Sequence, residues 1–182
     1  MAVTTSNLVL GPGSISFAPV GTTEPISAVS VPASGWTNVG ATTDGVTLTV
    51  NQEFTELEVD QIVDIPESRL VKRSFTVETN LAELTLENLK LALNGGTISS
   101  TGGSSTYAPA NGNSATSPGY VALLIDGIAP GGKKRRIIVR KALSTDDVEF
   151  AYNKEDQSVY SVTFTAHFVS DAVSPFLIID EV

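Results

Sequence analysis

Alternation with a period of two runs through most of this chain, and it restricts the possible folds more than any other feature. From Leu70 to Thr79, Val71, Phe75 and Val77 share one face while Lys72, Ser74, Thr76 and Glu78 share the other. Toward the C-terminus, Tyr160, Val162, Phe164, Ala166 and Phe168 alternate with Ser161, Thr163, Thr165 and His167. Successive strand residues point to opposite sides of a sheet, so these segments read as half-buried antiparallel strands with one wet face. Phe54 to Ile65 reads the same way, with Leu57, Val59, Val63 and Ile65 as the oily face and Glu56, Glu58, Asp60 and Asp64 as an acidic stripe. Further strands are predicted at 14–17, 45–50, 120–126, 135–143, 147–152 and 176–180.

One stretch breaks the period. LAELTLENLKLAL (81–93) has Leu86, Leu89 and Leu93 at helical spacing, with Ala82 one turn earlier, and Asn94-Gly95 as a C-terminal stop. It predicts a single amphipathic helix. Residues 94–119 then turn almost entirely to Gly, Ser, Thr, Asn, Ala and Pro, too polar to bury a core of their own. That length predicts a long loop, mobile or ordered by a partner, and not a domain boundary. The 182 residues fit one sizeable mainly β domain, an antiparallel sandwich or barrel with one flanking α-helix. Its N-terminal segment is 1–12 and its short C-terminal arm 171–182.

Hydrophobic residues at 41% and charged residues at 17% exclude wholesale disorder. No apolar run approaches the ~20 residues that span a bilayer, and the N-terminus does not read as a secretory signal. The absence of cysteine removes disulfides, thiolate nucleophiles and thiolate metal sites together. With no N-x-S/T acceptor either, synthesis in a reducing cytoplasm is the simplest expectation. A formal net charge of −9 opposes non-specific grip on nucleic acid, which depends on Lys and Arg neutralising phosphates.

The acidic stripe could hold a metal, catalyse, be a plain solvated face, or act through its collective charge. Carboxylates at i and i+2 on a strand lie about 6.6 Å apart, too wide to share a small cation easily. No Gly-bearing calcium loop encloses them, and no sugar-stacking aromatics flank them as a glycosidase pair would need. GIAPGGKK (127–134) fits a phosphate-binding loop except that Lys134 stands where a hydroxyl should bind magnesium. A β-type run follows it instead of the helix such a loop needs, so a hairpin turn is the better reading. Lys133, Lys134, Arg135 and Arg136 form a basic cluster there, open to three readings: a solvated strand end, an anion grip, or pairing with carboxylates of another copy. His167 is the only histidine and has no triad or metal partner in view. Trp36 reads as a buried anchor or interface aromatic. No cofactor and no reaction emerges.

The order of these pieces resembles the major tail tube proteins of long-tailed, siphovirus-type bacteriophages. The resemblance rests on LVLGPGSISFAPVGTTEP (8–25), W-x-x-V-G-x-T-x-D-G-V (Trp36 to Val46), V-D-Q (Val59 to Gln61) and the L-A-E-L-T-L-E-N-L segment (81–89), over roughly the first 93 residues. It implies a sandwich flanked by a helix, rings of six stacked into a hollow tube in the virion tail, and a bore for double-stranded DNA. It also implies tape-measure, tail-tip initiator and tail terminator proteins as partners, and no membrane. On that reading Glu56, Glu58, Asp60 and Asp64 are expected to line the bore and repel its cargo, with Leu57, Val59, Val63 and Ile65 packed into the sandwich. Lys133, Lys134, Arg135 and Arg136 are expected between subunits. The inner tube of a contractile tail or injection device is the nearest alternative, and a β-sandwich ligand-binding or adhesin module the next.

Overall fold

Eight strands join into one antiparallel sheet in the computed structural model, which describes residues 4–110, 118–149, 152 and 154–182. In chain order the strands are β1 (Ser14–Pro19), β2 (Thr37–Asn38), β3 (Thr42–Leu57), β4 (Glu67–Leu81), β5 (Thr97–Thr101), β6 (Ser104–Ala108), β7 (Val121–Ile128), β8 (Lys134–Ser144), β9 (Tyr160–Ala166) and β10 (Phe176–Asp180). One α-helix, α1 (Leu86–Ala92), lies among the described residues. The lateral order is β2-β1-β7-β8-β9-β4-β3, and β10 also pairs with β8. β9 and β10 occupy one lane beside β8. Phe164 to Ala166 face Ser144 to Ala142, and after the excursion at 167–175 Phe176 to Asp180 face Val139 to Arg135.

The sheet folds over a single buried cluster, giving the mainly β, sandwich-like fold with a flanking helix that the alternation anticipates. Ile15, Leu123, Ile125, Ile137 and Val139 of β1, β7 and β8 meet Phe75, Val77, Leu81, Tyr160, Val162 and Phe164 of β4 and β9, with Leu89, Leu91 and Ala92 of α1 alongside. Phe75 stacks on Phe176 with ring centroids 4.3 Å apart. β7 and β8 are near-continuously apolar because they are buried on both faces. Leu124 and Ile138, on the side away from this core, are as buried as Leu123.

The helix is shorter than 81–93. Leu81 is the fully buried last residue of β4, opposite Tyr160, so the first predicted turn belongs to the sheet. Thr85 is the N-cap, its hydroxyl accepting from the Asn88 amide at 3.1 Å. The helix end is a Schellman arrangement: the Asn94 amide donates to Leu91 O and the Gly95 amide to Lys90 O, with Asn94 at φ 57°. The polar stretch after it is not one long loop. β5 and β6 make a separate hairpin whose turn, Gly102-Gly103, has both central residues at positive φ as a tight two-residue connection requires. Tyr107 anchors that hairpin, packing against the core and donating to Gly95 O at 2.8 Å. Of the strand expected at 147–152, residues 147–149 are not strand and 150–151 lie outside the described residues.

Candidate functional site

β3 and β4 pair along almost their whole length, but β4 meets β9 only from Thr76 to Leu81. From Glu67 to Phe75 its only strand partner among the described residues is β3, so the distal half of the hairpin projects beyond the sandwich. The register fixes its two faces. Val46, Leu48, Val50 and Phe54 lie on the side that carries Phe75 and Val77 into the core, and past Phe75 nothing among the described residues covers that side. Phe54 is 58% exposed, and Val50, Leu70 and Val71 are exposed beside it. A bulge interrupts the register between Glu53 and Phe54.

The expected strand from Phe54 to Ile65 does not exist as one element. β3 ends at Leu57, and 58–66 form the irregular tip of the hairpin. Glu56 is still in the strand and alternates with Phe54, on the apolar side; Glu58, Asp60 and Asp64 are on the tip. The oily set does not pack into the sandwich either: Val59, Val63 and Ile65 are exposed and Leu57 is half-buried. A straight acidic stripe backed by a buried face is therefore corrected to an exposed tip carrying carboxylates and aliphatics together.

The opposite side of the same strands is polar from Thr47 to Thr55, with Leu57 at its distal end. Cross-strand rows run Thr47–Glu78–Thr163 and Thr49–Thr76–Thr165, with Asn51 facing Ser74 and Glu53 facing Lys72. Two cations lie on this face: Lys72, whose Nζ donates to Glu53 at 3.3 Å, and Arg69, opposite Thr55, with its Nε 3.8 Å from Glu67. At its base a shallow cleft gathers Asp44, Glu78 and Asp146 with Thr43, Asn80 and Ser161. The alternation had marked Thr76, Glu78, Thr163 and Thr165 as wet, but only the register shows that they form one continuous wall with β3.

The basic cluster divides. Arg136 is 4% exposed: its Nε and Nη2 donate to Asp126 at 2.6 and 2.9 Å, and its Nη1 donates to Ser27 O and Ser30 O at 2.9 and 2.7 Å. Arg135 donates twice to Asp180, both at 2.6 Å, which raises the guanidinium pKa and holds the Asp180 carboxyl below its ordinary value. Both cations are paired within their own chain, and Arg136 is buried, so the expected four-residue cluster does not stand together at the surface. Lys133 and Lys134 are exposed, and their side chains make no ion pair among the described residues.

Sequence reading missed Arg140, whose guanidinium clasps Glu24 at 2.6 and 3.0 Å and donates to Ser174 O at 2.8 Å. With Arg136 it pins segment 20–36, whose Val20, Thr22 and Trp36 line a cleft with Ala122 and Ile138. Trp36 is half-buried there, donating to Thr23 O at 3.1 Å. His167 meets Tyr120 edge-on, with its Nε2 buried and unpaired among the described residues. Lys134 opens β8 directly after the Pro130–Gly132 turn, so the loop resembling a phosphate cradle leads into a strand and presents no helix terminus. Among the described residues no cluster of three or more His, Asp or Glu could hold a metal, and no helix is long and apolar enough to cross a membrane.

The sequence model of one known protein family, described as phage tail tube protein, matches residues 1–180 of the chain. No curated protein matches it.

Proposed function

The chain belongs to the phage tail tube protein family, structural subunits of the virion tail that assemble with one another into a tube, and from that premise we propose that it forms stacked hexameric rings around a bore for double-stranded DNA. In this reading it makes and breaks no bond, and tape-measure, tip-initiator and terminator proteins bound the tube it builds.

The observation that carries the proposal is the polar wall of β3, β4 and β9. A conduit must not hold its cargo, and every unpaired Lys or Arg facing DNA would add a phosphate contact at each ring. This wall offers hydroxyls and carboxylates, with Lys72 paired to Glu53 and Arg69, toward the tip, beside Glu67. The bore lining is thus assigned to Thr47, Thr49, Thr76, Glu78, Thr163 and Thr165, in place of the stripe from Glu56 to Asp64. Screening over ~8 Å at physiological salt leaves repulsion effective only at close range, which is where a duplex in a narrow bore travels.

Two further features favour association between copies. Among the described residues the outer edge of β3 is open along 16 residues, and β4 is open on its other edge from Glu67 to Phe75. Long open edges invite pairing with another chain unless something covers them. Negative-stain microscopy of the purified protein tests the reading: ring stacks or hollow filaments are expected, and uniform monomers at high concentration would count against it.

A further inference from the structure

The hairpin tip and the β7–β8 corner are opposite in charge and alike in oiliness. Between Phe54 and Ser68 the chain carries Glu56, Glu58, Asp60, Asp64 and Glu67 and no cation, with Val59, Ile62, Val63 and Ile65 exposed among them. At the corner, Lys133 and Lys134 follow the Pro130–Gly132 turn, against which the Thr5–Asn7 turn packs, and Glu181, accepting from the Lys134 amide at 2.9 Å, offsets part of their charge. That packing brings Leu8 and Leu10, both strongly exposed, to the same corner. A cleft lined by Pro12, Ala28, Ile128 and Lys134 adjoins it.

Resting on the tail tube reading, we infer that the hairpin tip of one copy seats on the Lys133–Lys134 corner of a neighbouring copy. Like charges oppose tip-to-tip and corner-to-corner contacts, so the two surfaces select each other and the contact is heterologous. Such a contact repeats from copy to copy and closes into a ring or runs on as a filament. Strand direction decides between these. β4 and β8 are both antiparallel to β9 and so run the same way, and both the tip and the corner lie at their N-terminal ends. A contact between features at the same end joins copies side by side, around a ring. It leaves stacking to other surfaces.

Because the chain has no cysteine, paired thiols report this contact without background. In Val63→Cys/Lys133→Cys protein concentrated to assemble, a short bismaleimide is expected to give a ladder of covalent multimers that neither single variant gives. A charge exchange provides the second arm. Lys133→Glu/Lys134→Glu, and separately Glu58→Lys/Asp60→Lys/Asp64→Lys, should each raise the concentration needed for assembly about tenfold, the scale of one or two exposed charge pairs. Mixing the two variants should restore assembly, since each then supplies what the other lost. Filaments that form and pellet without the ladder, or a cross-link to a different tail protein, would overturn the contact while leaving the tube reading intact. Protein that stays monomeric and gives no cross-link would overturn both.

Discussion

Asn94 sits at φ 57°, where a side chain costs roughly 1–2 kcal/mol that glycine avoids, yet the chain keeps asparagine there. The reason is its amide. Nδ2 donates to Ser144 O at 2.7 Å and Oδ1 accepts from the Ser144 amide at 2.8 Å, tying the end of α1 to the end of β8. Asn94→Gly should therefore lose about 1–3 kcal/mol by urea unfolding, and Asn94→Ala more, because alanine loses the same bonds and keeps the strain. A glycine variant as stable as the parent would contradict this. Arg136 is the costlier loss. Arg136→Ala leaves Asp126 and two carbonyls without their donor and should destabilise by about 3 kcal/mol, at the low end for a buried pair because Asp126 retains some contact with water. Asp180 gives a pH signature. Its hydrogen bond from Arg135 lowers its pKa below the ordinary 3.8, so the bridge contributes at neutral pH and is lost as pH falls through the folded value. Thermal midpoints of the parent and of Asp180→Asn should differ slightly at pH 7 and converge in acid; a constant difference would contradict the assignment.

At the scale of elements, strands with a buried face were plain in the sequence. Phe176 to Asp180 is β10 as expected, and the alternation at Leu70–Thr79 and Tyr160–Phe168 marks β4 and β9. The hairpin was misread because alternation reports only that two faces differ, not that the apolar one is covered. One signal could have located the end of β3: Val46, Leu48, Val50 and Phe54 are apolar at even positions, whereas Leu57, Val59, Val63 and Ile65 are apolar at odd ones. That change of phase between Phe54 and Leu57 is where the strand gives way to the tip. The first turn of the predicted helix failed for a related reason. Ala82 is in phase with Leu86, which drew Leu81 into the predicted helix, but burial opposite Tyr160 gives Leu81 more as a strand residue. The arginine clasps were not legible, since Glu24, Asp126, Ser174 and Asp180 are brought to β8 only by the fold. If the tip serves assembly and not folding, replacing 56–68 by Asn-Gly should leave monomer stability within about 0.5 kcal/mol, because these residues are almost all exposed. The same deletion should abolish assembly by sedimentation; a variant that assembles normally would remove the tip from the interface.

For the whole molecule, the division of labour follows its layers. One side of the sandwich is closed by segment 20–36 under Arg136 and Arg140, the middle is the shared core, and the other side is a wall of hydroxyls and carboxylates. The chain as a whole is acidic, and Arg135, Arg136, Arg140 and Lys72 are each held by a carboxylate of the same chain. Such a surface suits passage of a polyanion better than its capture, and the open edges of β3 and β4 supply the means of joining copies. A cryo-EM reconstruction of the assembled protein is the most direct test. A hollow tube with Thr49, Thr76, Glu78 and Thr165 facing the bore is the expected result. A tube lined instead by the Arg140 side of the sandwich, or by unpaired lysines and arginines, would contradict it.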